Sequence, residues 1–303
     1  MNVFNKLIVA SIPAVPRPIV RRFASTYIAG EEIEDAIRVV KKLNSGGIMA
    51  TLDVLGEDIS QREEAHAARD KILEVLDTIA REKLDSNVSI KLTQLGLKLE
   101  PELCFDNTRR IVTRAKELGN FVRVDMEDST ATDATLDIYR RLRSEFGCSG
   151  IVLQAYLHRT LTDAERLIKE GVGHFRLCKG IYIEPAAIAF KGHDEINRNY
   201  LRVLEYMLVQ KAYVGIATHD SALIDGSCRL IKEMKLQKTE YEFQMLLGVR
   251  PELRQALLRD GHRVRIYVPF GRQWYRYCVR RFKENPKIAG YVLKALFKRI
   301  YSN

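Results

Sequence analysis

Apolar residues along this chain fall into two alternating rhythms. Short runs with little polar interruption recur at Gly47–Leu55, Asn87–Leu92, Phe121–Met126, Gly150–Tyr156, His174–Lys179, Tyr213–Thr218, Tyr241–Leu246 and Arg263–Gly271. Each has the length and β-branched or aromatic content of a buried strand. Between them lie longer segments with helical spacing: Gln61–Arg81, then near Glu102–Leu118, Thr132–Phe146, Asp163–Glu170, Glu195–Lys211, Ala222–Met234 and Pro251–Arg259. A further helical stripe, Ile33, Ile37 and Val40, precedes the first strand, and an apolar helix is expected over Ile288–Ile300.

Strands that are apolar throughout and separated by helices imply a parallel sheet covered on its outer side. Eight such units predict an α/β fold of the TIM-like (β/α)8 barrel type. The alternative, an open doubly wound sheet, lacks a GxGxxG turn after its first strand. The expected organisation is an N-terminal helical arm over residues 1–45 and the barrel over 46–303.

Composition narrows the partners. The 303 residues are 46% hydrophobic and 29% charged, and no apolar run approaches the roughly 18 residues of a membrane span. Five cysteines without CxxC spacing suggest neither a disulfide framework nor a zinc site, and point to a reducing, cytoplasmic setting. The 49 basic and 39 acidic residues give a net charge of +10, favouring anionic partners. Nucleic acid is not expected, since the basic residues are mixed with acidic ones and no recognition motif is present. Residues 1–30 carry no acidic side chain and read as an arm docked on the fold in preference to a transit peptide or an interfacial segment.

In a barrel of this type chemistry collects where strands finish. Those ends carry Asp53 and Glu57, Lys91, Asp125, Gln154, Arg176 and Lys179, Thr218 and His219, Gln244, and Tyr267. Lys91 and Asp125 fall on neighbouring strands and are expected to pair. Either Lys91 or Lys179 would serve a Schiff-base aldolase on the same scaffold. His219 has no second histidine at ligand spacing, so no metal is expected. After the last strand, Tyr277, Arg280, Arg281 and Glu284 share one helical face. Two adjacent guanidiniums make a clamp for a small carboxylate. Spacing alone favours a solvated basic face there.

Taken together, Thr51–Glu57, Ile90–Gly96, Val124–Ser129, Leu153–Tyr156, Arg176–Tyr182, Ala217–His219, Tyr241–Met245 and Arg265–Asn285 resemble the proline dehydrogenase family, and its short monofunctional bacterial members above all. The likeness runs from about residue 21 to the C-terminus in order and spacing. It implies oxidation of L-proline to 1-pyrroline-5-carboxylate, with hydride passing to FAD and then to a membrane quinone. Asp125 and Arg176 would be catalytic. Lys91, Tyr267, Tyr277, Arg280, Arg281 and Glu57 would hold proline, with Glu57 pairing to Arg280 as a gate. Met126, Gln154, Arg176, Lys179, Gly180, Ile181, Thr218, His219 and Gln244 would line the flavin. The resemblance, and not the pattern of apolar positions, also implies a C-terminal helix over the barrel mouth. It further implies peripheral contact with anionic lipid at the inner membrane face. Cys178, Ile181 and Arg276 depart from the usual family residues at their positions.

Overall fold

The structure is a computed structural model that describes residues 25–56, 59–275 and 277–278. Eight parallel strands close into a barrel in sequence order: β1 (Met49–Val54), β2 (Ser86–Ile90), β3 (Val122–Val124), β4 (Ser149–Gln154), β5 (His174–Cys178), β6 (Tyr213–Ala217), β7 (Tyr241–Leu246) and β8 (Val264–Phe270). Closure is made by β8 pairing with β1, from Met49 opposite Arg265 to Val54 opposite Phe270.

Helices fill the outer layer. α1 (Ile33–Ser45) precedes β1. α2 (Arg62–Arg81), α3 (Pro101–Glu117), α4 (Thr132–Phe146), α5 (Thr160–Lys169), α6 (His193–Val209), α7 (Ser221–Glu233) and α8 (Pro251–Arg259) then follow β1 to β7 in turn. Local chemistry marks their starts. Asp35 accepts from the backbone N–H groups of Glu31 and Glu32 at the head of α1, and Glu64 does the same for Ser60 and Gln61 at α2. α3 and α8 begin with a proline, whose missing N–H costs nothing in a first turn.

Period-two alternation in the strands separates two interiors. Outward positions such as Leu52, Ile90, Val124, Phe175, Ile216 and Phe243 are fully buried in one apolar cluster with the helices. Inward positions are largely polar: Ser89, Arg123, Arg176, Glu242 and Gln244 are all buried inside the barrel. Gly150 and Gly215 occupy inward positions where a Cβ would overlap the side chains of Arg123 and Gln244 respectively, so their hydrogens leave the space those long side chains fill. Burial of α1 through Ile33, Ala36, Val40 and Leu43 in the same cluster ties the described part of the N-terminal arm to the barrel.

Element limits agree with the sequence pattern to within a few residues, except that β3 is three residues long where six were expected. Beyond it the chain leaves the ladder after one bond, from Asp125 N–H to Ile90 O at 2.9 Å. Likewise β2 ends at Ile90, and Thr93–Leu95 forms a 3-10 turn held by Thr93 N–H donating to Glu127 Oε1 at 3.0 Å. Lys91 and Asp125 therefore stand just past their strands. The helix expected over 272–285 lies mostly outside the described residues, as do the one at 288–300 and residues 1–24.

Candidate active site at the barrel mouth

The ends of β1, β2, β3, β5 and β8 converge on one polar cluster. Lys91 Nζ donates to Asp53 Oδ1 at 2.8 Å and to the Tyr267 hydroxyl at 3.2 Å, and it stands 3.6 Å from Asp125 Oδ2. The expected Lys91–Asp125 pair is thus present as the longer of two contacts, and Asp53 is the nearer partner. Tyr267 in turn donates to Asp125 Oδ2 at 2.9 Å. The other oxygen of Asp125 accepts from Arg176 Nη1 at 2.7 Å and from Ser89 Oγ at 2.6 Å. Arg176 Nη1 also donates to Ser89 Oγ at 3.2 Å, and Arg176 Nε donates to Gln244 Oε1. The Arg176 guanidinium carbon lies 5.3 Å from the centre of the Tyr267 ring.

Charge in so dry a place is stable only in compensated sets. Burial opposes ionisation of Lys91, yet Asp53 and then Asp125 outweigh it and hold the ammonium above its ordinary pKa. Asp125 is depressed for the complementary reason: burial pushes it up, while Arg176 and Lys91 pull it down further. Tyr267 is pushed well above the ordinary phenol value by burial and by the carboxylates of Asp125 and Asp53. The cluster thus presents a fixed ammonium, a fixed guanidinium, two carboxylates and a neutral phenol.

On the other side of the rim, the residues after β4 to β7 form separate small sets. Gln154 Nε2 donates to the carbonyls of Met126 and Glu127 at 3.4 and 3.3 Å. Lys179 Nζ is 2.6 Å from Asp220 Oδ2, an oxygen that also accepts from Asn197 and meets His193 Nε2 at 3.0 Å. Asp220 is the N-cap of α7, accepting from Ala222 N–H at 2.9 Å, and its own N–H donates to Thr218 Oγ1 at 3.2 Å. Burial pushes the Asp220 carboxyl up, but bonds from Lys179 and Asn197 bring it well below the usual range. His219 Nε2 accepts from Leu246 N–H at 2.9 Å, which in the neutral ring leaves the proton on Nδ1. Gly180 has φ +104, and Ile181 and Ile183 beyond it are 54% and 100% exposed.

Of the residues expected at the site, Lys91, Asp125, Arg176, Gln244 and Tyr267 form one connected network. Tyr277 is buried, and its phenol adds to the upward shift of Tyr267. Met126, Gln154, Lys179, Gly180, Ile181, Thr218 and His219 sit on the adjoining rim without joining the network. Glu57, Arg280 and Arg281 lie outside the described residues, as does Arg276. Sequence reasoning passed over Ser89, Glu242 and Asp220 and assigned no role to Asp53. Ser89 and Glu242 each lie two residues before a recognised site residue on the same strand face, Lys91 and Gln244. No group of three or more histidine, cysteine, aspartate or glutamate side chains positioned to hold a metal occurs among the described residues.

Fold and cluster together define a class: a parallel (β/α)8 barrel whose mouth holds buried, compensated charges at the finishing ends of its strands. The family profile described as proline dehydrogenase matches residues 36–293, and the chain belongs to that family. It is 38% identical over 276 residues to proline dehydrogenase 1 of Bacillus subtilis subsp. natto, with 91% of each chain covered. It is also 38% identical over 280 residues to the proline dehydrogenase of Deinococcus radiodurans, covering 91% of this chain and 90% of the other. Among solved structures, proline utilization A from Bdellovibrio bacteriovorus, inactivated by N-propargylglycine, superposes with a TM-score of 0.82 at 27% identity over 87% of this chain. This chain spans 32% of that longer protein.

Proposed function

We propose that this chain oxidises L-proline to 1-pyrroline-5-carboxylate, the first step of proline catabolism, with FAD as hydride acceptor and a membrane quinone as the final oxidant. The observation that carries the reading is the Lys91–Asp53–Tyr267–Asp125–Arg176 cluster at the mouth of a barrel of this family. Residues on the rim fit the cofactor. Arg176 and Lys179 bring positive charge, and Gln154, Thr218 and Gln244 bring neutral polar groups. The exposed Ile181 offers apolar surface, and the buried Tyr156 hydroxyl has no partner among the described residues. Met126, Gln154, Arg176, Lys179, Gly180, Ile181, Thr218, His219 and Gln244 would hold FAD, which supplies two-electron acceptance that side chains lack.

The protein's own share is orientation and electrostatics. Arg280 and Arg281 would grip the substrate carboxylate, and Glu57 would pair with Arg280 as a gate. Lys91 would contact substrate, with Tyr267 and Tyr277 against the pyrrolidine ring. Asp125, depressed by two cations, is a poor base at neutral pH; its work is to hold Arg176, Tyr267 and Lys91 in register. Arg176 would supply a fixed positive charge to stabilise the negative charge of the reduced flavin. An aldolase reading loses ground on the same facts. A Schiff-base lysine must be neutral, whereas Lys91 is held protonated and Lys179 is ion-paired to Asp220.

No helix among the described residues is long and apolar enough to cross a membrane. The net charge of +10 supports peripheral attraction to anionic lipid, each nearby cation contributing about 1 kcal/mol. One absorbance spectrum tests the main reading. The purified protein is expected to be yellow, to bleach anaerobically on addition of L-proline, and to yield a product that forms an adduct with ortho-aminobenzaldehyde. N-propargylglycine is expected to inactivate it. A colourless protein trapped by borohydride with a carbonyl substrate overturns the reading in favour of an aldolase.

A further inference from the structure

The mouth cluster does not end at Arg176. Its Nε donates to Gln244 Oε1, Gln244 Nε2 donates to Glu242 Oε1 at 2.6 Å, and the same carboxylate oxygen accepts from Arg265 Nε at 2.7 Å. Arg265 Nη1 is anchored on Ala50 O at 2.7 Å. Polar groups thus run unbroken from the rim down the barrel axis toward the end where the strands begin. None of Glu242, Gln244 and Arg176 is more than 6% exposed.

From this geometry we infer that Glu242 is a positioning residue for the proposed oxidation, acting on Arg176 through the orientation of the Gln244 amide. A guanidinium only donates hydrogen bonds and a carboxylate only accepts them. Gln244, set between the two, has one workable orientation: its oxygen toward Arg176 and its nitrogen toward Glu242. The reverse sets donor against donor and acceptor against acceptor. Glu242 is held near 2 because Arg265, together with bonds from Arg265, Tyr213 and Gln244, outweighs the effect of burial; it is therefore charged at every working pH. That charge locks the amide, the amide fixes Arg176 Nε, and Asp125 with Ser89 fixes Nη1. Two of the three guanidinium nitrogens are thereby committed to the protein. Nη2 is the guanidinium nitrogen that these contacts leave unengaged.

Gly215 provides a probe that alters no charge. It faces Gln244 from β6, and a Cβ there would overlap the Gln244 amide nitrogen and carbon. Gly215→Ala should therefore tilt the amide, whereas Glu242→Gln should unlock it. The inference rests on the proline reading for its catalytic consequence, but not for its structural one.

Two measurements on the flavin-loaded full chain separate them. Solvent exchange of the Arg176 Nε proton, assigned with Arg176→Lys, should be at least tenfold faster in both variants. The rate of flavin reduction by L-proline should fall about 10- to 100-fold in both, while the proline KM changes less than about threefold. Folded variants with unchanged exchange and unchanged reduction overturn the relay. If Glu242→Gln fails to fold because Arg265 is stranded, Gly215→Ala alone decides. Should proline fail to reduce the wild-type protein, the proline reading falls, and the exchange comparison still judges the relay.

Discussion

Lys91 lies 2.8 Å from Asp53 and 3.6 Å from Asp125, so its ammonium is seated mainly by a residue of the first strand. Asp53 is 1% exposed, and its Oδ2 has no partner among the described residues. An anion so placed does one thing well: it keeps a buried amine charged. Asp53→Asn removes the nearer of two carboxylates, and Lys91 then relies on Asp125. The lysine pKa, raised in the wild type, should fall. The alkaline limb of the pH–activity profile should move to lower pH, and kcat/KM for proline should drop about tenfold, within the range for loss of a positioned charged partner. A pH profile identical to wild type sinks this account of Asp53.

Tyr267 accepts from Lys91 and donates to Asp125, which makes its hydroxyl the bridge between the two ends of the cluster. Tyr267→Phe keeps the ring and deletes the bridge. Both partners are largely shielded from solvent, so the variant should lose about 1–3 kcal/mol of stability in a urea titration. The Tyr267 bond also helps to hold Asp125 down. Its loss should raise the Asp125 pKa and move the acid limb of activity to higher pH. A variant with wild-type stability and an unmoved acid limb is the outcome that counts against the bridge.

How much of this was visible in the chain before folding follows from what each feature depends on. The eight strands were legible because short runs with little polar interruption alternate with segments of helical spacing, and the barrel buries those runs against its helices. Lys91, Asp125, Arg176 and Tyr267 were legible because each stands at or near the finishing end of its strand. The Lys91–Asp53 pairing was not, because it depends on the stagger that sets Asp53 opposite Ser89, two residues before Lys91. Nor was the role of Glu242. It arises only when β5, β7 and β8 curve together, bringing Gln244 and Arg265 to the Glu242 carboxylate and Arg176 to the far side of the Gln244 amide. The short β3 escaped notice because Asp125 and Met126 continue the alternation of charged and apolar residues seen in Val122–Val124 while their backbone has already left the ladder. The roles of Glu57, Arg280 and Arg281 entered through the family resemblance: strand position named Glu57 without a task, and spacing alone favoured a solvated face for the two arginines.

Gly180 closes the rim after β5 with φ +104, and a Cβ on it would overlap the Tyr156 ring. Gly180→Ala faces two obstacles, backbone strain and a steric one, and overpacking of this kind typically costs about 1–3 kcal/mol. Because Gly180 and Ile181 belong to the proposed flavin rim, the ratio of flavin to protein absorbance in the purified variant should fall. Gly171→Ala is the control: its φ is +73, but nothing lies within 4 Å of the added carbon. Equal flavin loss in both variants would assign the effect to backbone strain and remove Tyr156 from the explanation.

Acid should reveal a charge buried inside the barrel, that of Glu242. Glu242 falls from its ordinary 4.5 to about 2: burial pushes it up, and Arg265 with bonds from Arg265, Tyr213 and Gln244 pushes it down further. A carboxyl whose folded pKa is depressed stabilises the fold above its unfolded value, and that stability is lost as pH falls through the folded value. The window is therefore about pH 4.5 down to about 2, and the contribution above it is roughly 3 kcal/mol. Glu127 works in the opposite sense, since burial raises its pKa and the folded state keeps its proton longer. Its contribution therefore softens the acid loss and does not add to it. Thermal midpoints measured across this range should fall steeply in the wild type. In Glu242→Gln the fall should be shallower and begin from a lower midpoint at neutral pH, where Arg265 has lost its anion. Parallel curves for the two proteins would mean that Glu242 titrates alike in the folded and unfolded chain, and that the Arg265 pair does not hold it down.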